Sequence, residues 1–168
     1  MNNIIIATQN QLLPRTDRET RSACTLFLEI TPSCEGYYAQ LPLCLPVGKY
    51  SPSVRELVAV SEKATETGVT LLRPGTRVGD LYSAPVKTVQ EYSSLSPLRP
   101  GHAIGLDVID FRSVTESNET ILKPGMTVAM HPAVLRELGG EGVGMGYTYL
   151  ITETGAEKLS KFDLHKLG

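Results

Sequence analysis

Tryptophan is absent from the 168 residues, and aromatic side chains make up only 6% of them. A stacking platform for single-stranded nucleic acid is therefore excluded. Excess positive charge is lacking too. A net charge of −2 and an isoelectric point near 5.9 supply no field for nucleic acid or an anionic membrane. No apolar run approaches the roughly 20 residues of a membrane span. The start, "MNNIIIATQNQ", carries no basic segment ahead of its short apolar run, which predicts no secretory signal and a cytoplasmic location. Without such a signal, the acceptor-like Asn118-Glu119-Thr120 reads as coincidence. Cysteine is scarce. Cys24, Cys34 and Cys44 form no CxxC pair, which favours free thiols in a reducing compartment, with one Cys24–Cys34 disulfide left open.

What is present describes an ordinary globular chain, with 41% hydrophobic and 20% charged residues. "IIIAT" (4–8) and "ACTLFLEIT" (23–31) read as strands, and "PSCEG" as the turn that returns the chain along "YYAQLPLCLPVG". Pro42 and Pro46 place that third strand at an edge or a bulge. Ser51 as cap, Pro52 at the first helical position and a stripe of Val54, Leu57, Val58, Ser61 and Ala64 predict an amphipathic helix stopped by Pro74-Gly75. A second helix follows over "RVGDLYSAPVKTVQEYSS", with a kink expected at Pro85. Strands return in "HAIGLDVIDF", in "LKPGMTVAMHP" after a type II turn at Lys123-Pro124-Gly125, and in a tail hairpin turned at Glu153-Thr154-Gly155. Strands, two helices, then strands is an α+β order with a largely antiparallel sheet, in one domain over residues 1–168.

Polar residues inside apolar strands mark the candidate chemistry, because a buried charge or imidazole is costly unless paired or metal-bound. Glu29, Gln40, His102 and His131 have this character. Each alone could face solvent. Together, two histidines and a carboxylate form a ligand set for one divalent ion, although no HxH or HxxxH spacing ties them. In "GHAIG" the flanking glycines predict close backbone approach and an exposed His102 ring. His165, in the charged tail, reads as a surface residue.

In order and spacing, "GHAIGLDVID", "LKPGMTVAMHP" and "YLITETGAEKLSKF" resemble the signature segments of the creatinase/aminopeptidase superfamily of pita-bread fold. "LFLEITPSCEGYYAQLPLCLPVG" resembles its central hairpin, and "SPSVRELVAVSEKATETGVTLLRPGTRVGDLYSA" the helix pair after it. The resemblance implies a curved, mostly antiparallel sheet backed by helices, here lacking the two helices that normally come first, and it implies a homodimer or a partner subunit.

It also implies a rewritten metal site. Members that are peptidases hold two metal ions with two Asp, one His and two Glu. Those positions fall here on Glu29, Gln40, His102 and His131, and near Gly146, which has no side chain to ligate. The charge supplied drops to one carboxylate, so no dinuclear centre and no cofactor are expected. If a single divalent ion binds, its ligands are Glu29, His102 and His131. Two family histidines are missing as well, one expected between Leu12 and Arg15 and one near Ile109.

Two functions fit this pattern. One is an enzyme acting on a small amino-acid-like or amine substrate by C–N hydrolysis or lyase-type acid/base chemistry. In it His102 and His131 are acid and base, Glu29 orients an imidazole, and Gln40, Tyr38, Tyr147 and Arg15 bind substrate. The other is an inactive pseudo-peptidase serving as a binding or assembly subunit.

Overall fold

The computed structural model describes the backbone of residues 3–8 and residues 25–93, 99–110, 113–136 and 141–162 in full. The first sheet is antiparallel: β1 (Asn3–Thr8) pairs with β2 (Thr25–Thr31), and β2 with β5 (Leu41–Pro46). β5 is thus an edge, where its prolines interrupt no ladder. Between β2 and β5 the chain folds into a two-strand ribbon, β3 (Ser33–Cys34) and β4 (Tyr37–Tyr38). Glu35 and Gly36 turn it, at φ of 51° and 87°.

Helix α1 (Pro52–Val69) starts as its sequence dictates. The Ser51 hydroxyl accepts from the Val54 amide at 3.2 Å, and Val54, Leu57, Ser61 and Ala64 are buried along one face. It ends at Val69, before the anticipated Pro74-Gly75 stop, and Leu72 beyond it is only 1% exposed. Helix α2 (Val78–Gln90) buries Pro85 against α1. The close approach is at Gly68, where a Cβ would stand 3.1 Å from the Pro85 ring and 2.5 Å from the Met130 methyl.

The second sheet, in the order β11 (Ala156–Lys158), β10 (Tyr147–Ile151), β7 (Thr127–Met130) and β6 (Gly101–Ala103), is also antiparallel throughout. A further ribbon joins β8 (Ala133–Leu135) to β9 (Gly142–Gly144). The Gly125 φ of 87° and a Met126 amide donating to the Lys123 carbonyl at 3.2 Å match the expected type II turn. The tail hairpin closes through Thr152 donating to the Gly155 carbonyl at 2.8 Å.

One strand is much shorter than the sequence suggested. In "HAIGLDVIDF" pairing stops at Ala103, and the chain bends so that the Asp110 amide returns to the Ala103 carbonyl at 3.2 Å. Leu106 and Ile109 end up 60% and 44% exposed. Two apolar cores result. One lies under α1, the first sheet and the β8–β9 ribbon; the other under α2 and the second sheet. Among the described residues no helix is long and apolar enough to cross a membrane. Cys34 and Cys44 are free thiols, and Cys24 and His165 lie outside the described residues.

Candidate functional site

The two sheets meet at Gln40, one residue before β5. Its amide donates to the Thr148 hydroxyl at 2.9 Å, and that hydroxyl lies 2.9 Å from the Gln40 carbonyl, which accepts from it. A backbone clasp on a threonine of β10 thus fixes the residue that carries the site's central amide. Gln40 is 4% exposed. One end of its carboxamide touches Glu29 Oε1 on β2, and the other lies 2.9 Å from His102 Nε2 on β6. Nδ1 of His102 lies 3.0 Å from the Ala103 carbonyl. Both ring nitrogens are therefore engaged.

His102 is 1% exposed, contrary to the exposed ring predicted from "GHAIG". The close backbone approach does hold: a Cβ on Gly101 would overlap the Ala129 carbonyl of β7. Gly101 serves strand packing, and the ring beside it is buried.

His131 follows β7 directly, its amide donating to the Pro100 carbonyl at 2.9 Å. The imidazole meets His102 edge to face, with centroids 5.1 Å apart and planes at 70°. Its Nε2 is buried and has no hydrogen-bond partner among the described residues.

Burial governs the electrostatics. It raises the Glu29 carboxyl above its ordinary value, opposed by the Gln40 hydrogen bond and the Arg99 guanidinium. It lowers His102, opposed by the Ala103 carbonyl and assisted by Arg99. His131 is pushed down to about 3, first by burial and then by His102 and Arg99. All three groups are driven toward their neutral forms.

Tyr38 is half-buried, and its amide donates to the Gly105 carbonyl at 2.7 Å, which ties β4 to the loop after β6. Tyr147 stands on the face of β10 opposite Thr148. Side chains alternate along β10, so Tyr147 and Tyr149 project away from the face that carries Thr148. They line a cavity of about 180 Å³ with Glu62, Thr65, Glu66, Met145, Gly146 and Lys158. The Lys158 ammonium sits 4.2 Å from the Tyr147 ring centre. Arg15 lies outside the described residues. Nor does Glu29 orient an imidazole directly, because Gln40 stands between them.

Two residues went unanticipated. Thr148 gave no sign in a strand of ordinary composition. Arg99 did give one, a guanidinium three residues before His102 in "LRPGHAIG". Its Nη1 donates to the Ser113 hydroxyl at 2.8 Å, and Ser113 bridges to His102. Among the described residues Arg99 makes no ion pair.

The sequence profile of metallopeptidase family M24 matches residues 2–153. The chain belongs to family M24. It is 26% identical to the Xaa-Pro dipeptidase of Pyrococcus furiosus over 166 residues, which cover 94% of this chain and 47% of that protein. It is 28% identical to the creatinase of a Bacillus strain over 158 residues, covering 88% and 38%. The prolidase structure from Pyrococcus furiosus superposes with a TM-score of 0.87 at 24% identity, covering 95% of this chain and 49% of that one. The pita-bread fold follows, and the M24 chain spans under half the length of these relatives.

The family name implies metal, so the donor set has to be tested against one. At the five family positions this chain offers one carboxylate, and two divalent charges need several anionic oxygens. Gly146 cannot be given the missing carboxylate, since a Cβ there would overlap the Met130 carbonyl and come within 2.7 Å of the His131 Cα. For a single ion, no three His, Cys, Asp or Glu side chains converge among the described residues. Gln40 already takes the facing atoms of Glu29 and His102. The residues present do not fit the family's metal centre.

Proposed function

We propose that this M24 chain performs acid/base chemistry on a small amino-acid-like or amine substrate, without a dinuclear centre, and that C–N hydrolysis is the reaction. The observation that carries the reading is the buried Nε2 of His131, without a partner among the described residues, next to a hydrogen-bonded Glu29–Gln40–His102 chain. A buried lone pair without a donor costs free energy in the resting protein, about 1–3 kcal/mol by general experience. A substrate N–H or a water O–H relieves that cost on binding.

In the proposed reaction water attacks the carbon of the C–N bond and gives one proton to His131 Nε2. The C–N bond breaks, and the leaving nitrogen takes a proton from Glu29, whose carboxyl burial holds above its ordinary value. Return of the His131 proton to Glu29 through solvent or product closes the cycle. At neutral pH the low basicity of His131 leaves its lone pair free. The low basicity also makes proton acceptance uphill, so a bound substrate must bring negative charge near the ring.

A second reading rests on the lost ligands. One carboxylate and a glycine where a glutamate would stand fit a pseudo-peptidase that acts as a binding or assembly subunit, alone as a homodimer or with another chain. A cytoplasmic setting suits both readings, given the two free thiols. Thermal-shift and turnover assays of the wild type and His131→Ala against a panel of amino acids, N-substituted amino acids and amines distinguish them. Stabilisation or turnover lost in His131→Ala supports the enzyme. No response to any compound, with a stoichiometric protein co-purifying, sinks it.

A further inference from the structure

A guanidinium carries five N–H groups in one plane and keeps its charge at any working pH, so an arginine withdrawn from water calls for acceptors. Arg77 and Arg136 hold carboxylates, the first Asp80 and Glu119, the second Glu56. Arg55 and Arg73 hold none and are exposed to water. Among the described arginines only Arg99 is half-buried without a carboxylate. Its one hydrogen bond there runs from Nη1 to the Ser113 hydroxyl, at 2.8 Å.

That bond aims the guanidinium at the candidate site. Ser113 pairs with His102 across an antiparallel bridge, and residues directly opposite in such a pair carry their side chains on the same face. The hydroxyl that receives Arg99 therefore stands on the His102 face. Both ends of the tether are fixed. The Pro100 carbonyl accepts from the His131 amide and the Gly101 carbonyl from the Val114 amide, each at 2.9 Å. Asn118, 2% exposed, donates its Nδ2 to the Ser113 carbonyl at 3.0 Å. A donor held in place before its ligand arrives loses little freedom on binding.

The charge of Arg99 is felt at Glu29, His102 and His131, which come from separate segments, and no other cation acts on all three. This decides the class of ligand. One planar fork matches the two oxygens of a single carboxylate, whereas a phosphate dianion calls for a second cation.

We propose that Arg99, tethered by Ser113, is a carboxylate-binding subsite beside the His102–His131 pair, and that it anchors the carboxylate of an amino-acid-type substrate. A simple amine or an amino-acid amide binds without that anchor. In the reaction proposed above, the anchored carboxylate is also the negative charge that proton acceptance by His131 requires. That the ligand is a substrate rests on that reading; that a carboxylate binds at Arg99 does not.

The test has two arms on full-length protein. In the first, wild type and Arg99→Met are titrated with sodium acetate and, at equal ionic strength, with sodium chloride. Melting temperature and the side-chain signals of ¹⁵N-labelled arginine are followed, with the Arg99 Nε–H signal identified by its loss in Arg99→Met. Acetate should stabilise the wild type saturably and shift that signal, chloride should do neither, and Arg99→Met should respond to the two salts alike. In the second, each amino acid of the panel is compared with its primary amide. The wild type should bind the acid about tenfold more tightly or better, the yield of a charge-assisted pair, and Arg99→Met should lose the preference while keeping its affinity for the amide. A wild type that does not distinguish acetate from chloride overturns the subsite, as does an acid preference that survives in Arg99→Met. The acetate–chloride comparison of the wild type decides even if the variant does not fold. Amides that bind and turn over as well as acids sink the subsite and leave the enzyme standing. Saturable acetate binding at Arg99 with no turnover of any compound does the reverse.

Discussion

The two sheets contribute unequally to the site. In β2, which brings Glu29, residues 26–30 are all half-buried. In β7, Val128, Ala129 and Met130 are 2%, 0% and 0% exposed, and His102 on neighbouring β6 is 1% exposed. The histidines therefore sit on a close-packed wall and the carboxylate on a looser one, with Gln40 and its Thr148 clasp joining them. A half-buried side chain on β2, such as Glu29, has room for a change of length. On the packed wall, Gly146 admits no side chain at all.

Substitutions test that contrast most severely at Gly146. Gly146→Glu, which restores a family carboxylate in sequence, should cost more than about 4 kcal/mol through overlap with the Met130 carbonyl, or prevent folding. A denaturant melt unchanged from wild type would show that the wall yields. Next, Met130→Ala should cost about 2–5 kcal/mol, as expected for a fully buried methionine, and half-buried Leu28→Ala about 1–2 kcal/mol. Equal losses would erase the difference between the sheets.

Acidification gives a smaller effect with a definite sign. The His131 pKa is depressed from its unfolded value near 6.5 to about 3. The unfolded chain therefore gains the proton first, and stability falls as pH drops from about 6.5 towards 3. At pH 5 the loss is about 2 kcal/mol. His131→Phe should abolish that part of the slope, and a slope unchanged in this variant would place the imidazole in water.

Much of this was legible in the sequence because local rules and tertiary demands agreed. Ser51-Pro52 began α1, Pro124-Gly125 turned into β7, and the prolines of β5 marked an edge. The four polar strand residues were identifiable as exceptions in apolar runs, and three of them, Glu29, Gln40 and His102, form one hydrogen-bonded chain with His131 packed on its end. The rest depended on three-dimensional context. Period-2 alternation could not say which face of β10 meets Gln40, so Thr148 was overlooked. Two glycines around His102 signalled close packing, but the sequence does not say whether packing hides or displays a ring. Arg99 acts through space on three groups from separate elements, and no spacing rule encodes that.

The proposed site works through His131 and the Gln40-bridged pair instead of a metal centre. The most direct measurement is metal content by mass spectrometry together with ligand-induced stabilisation in excess chelator, for the wild type and His131→Ala. Protein with well under one equivalent of metal, stabilised by an amine or amino-acid compound in chelator and unresponsive as His131→Ala, is the predicted result. Stabilisation that vanishes in chelator and returns with added divalent ion would contradict it.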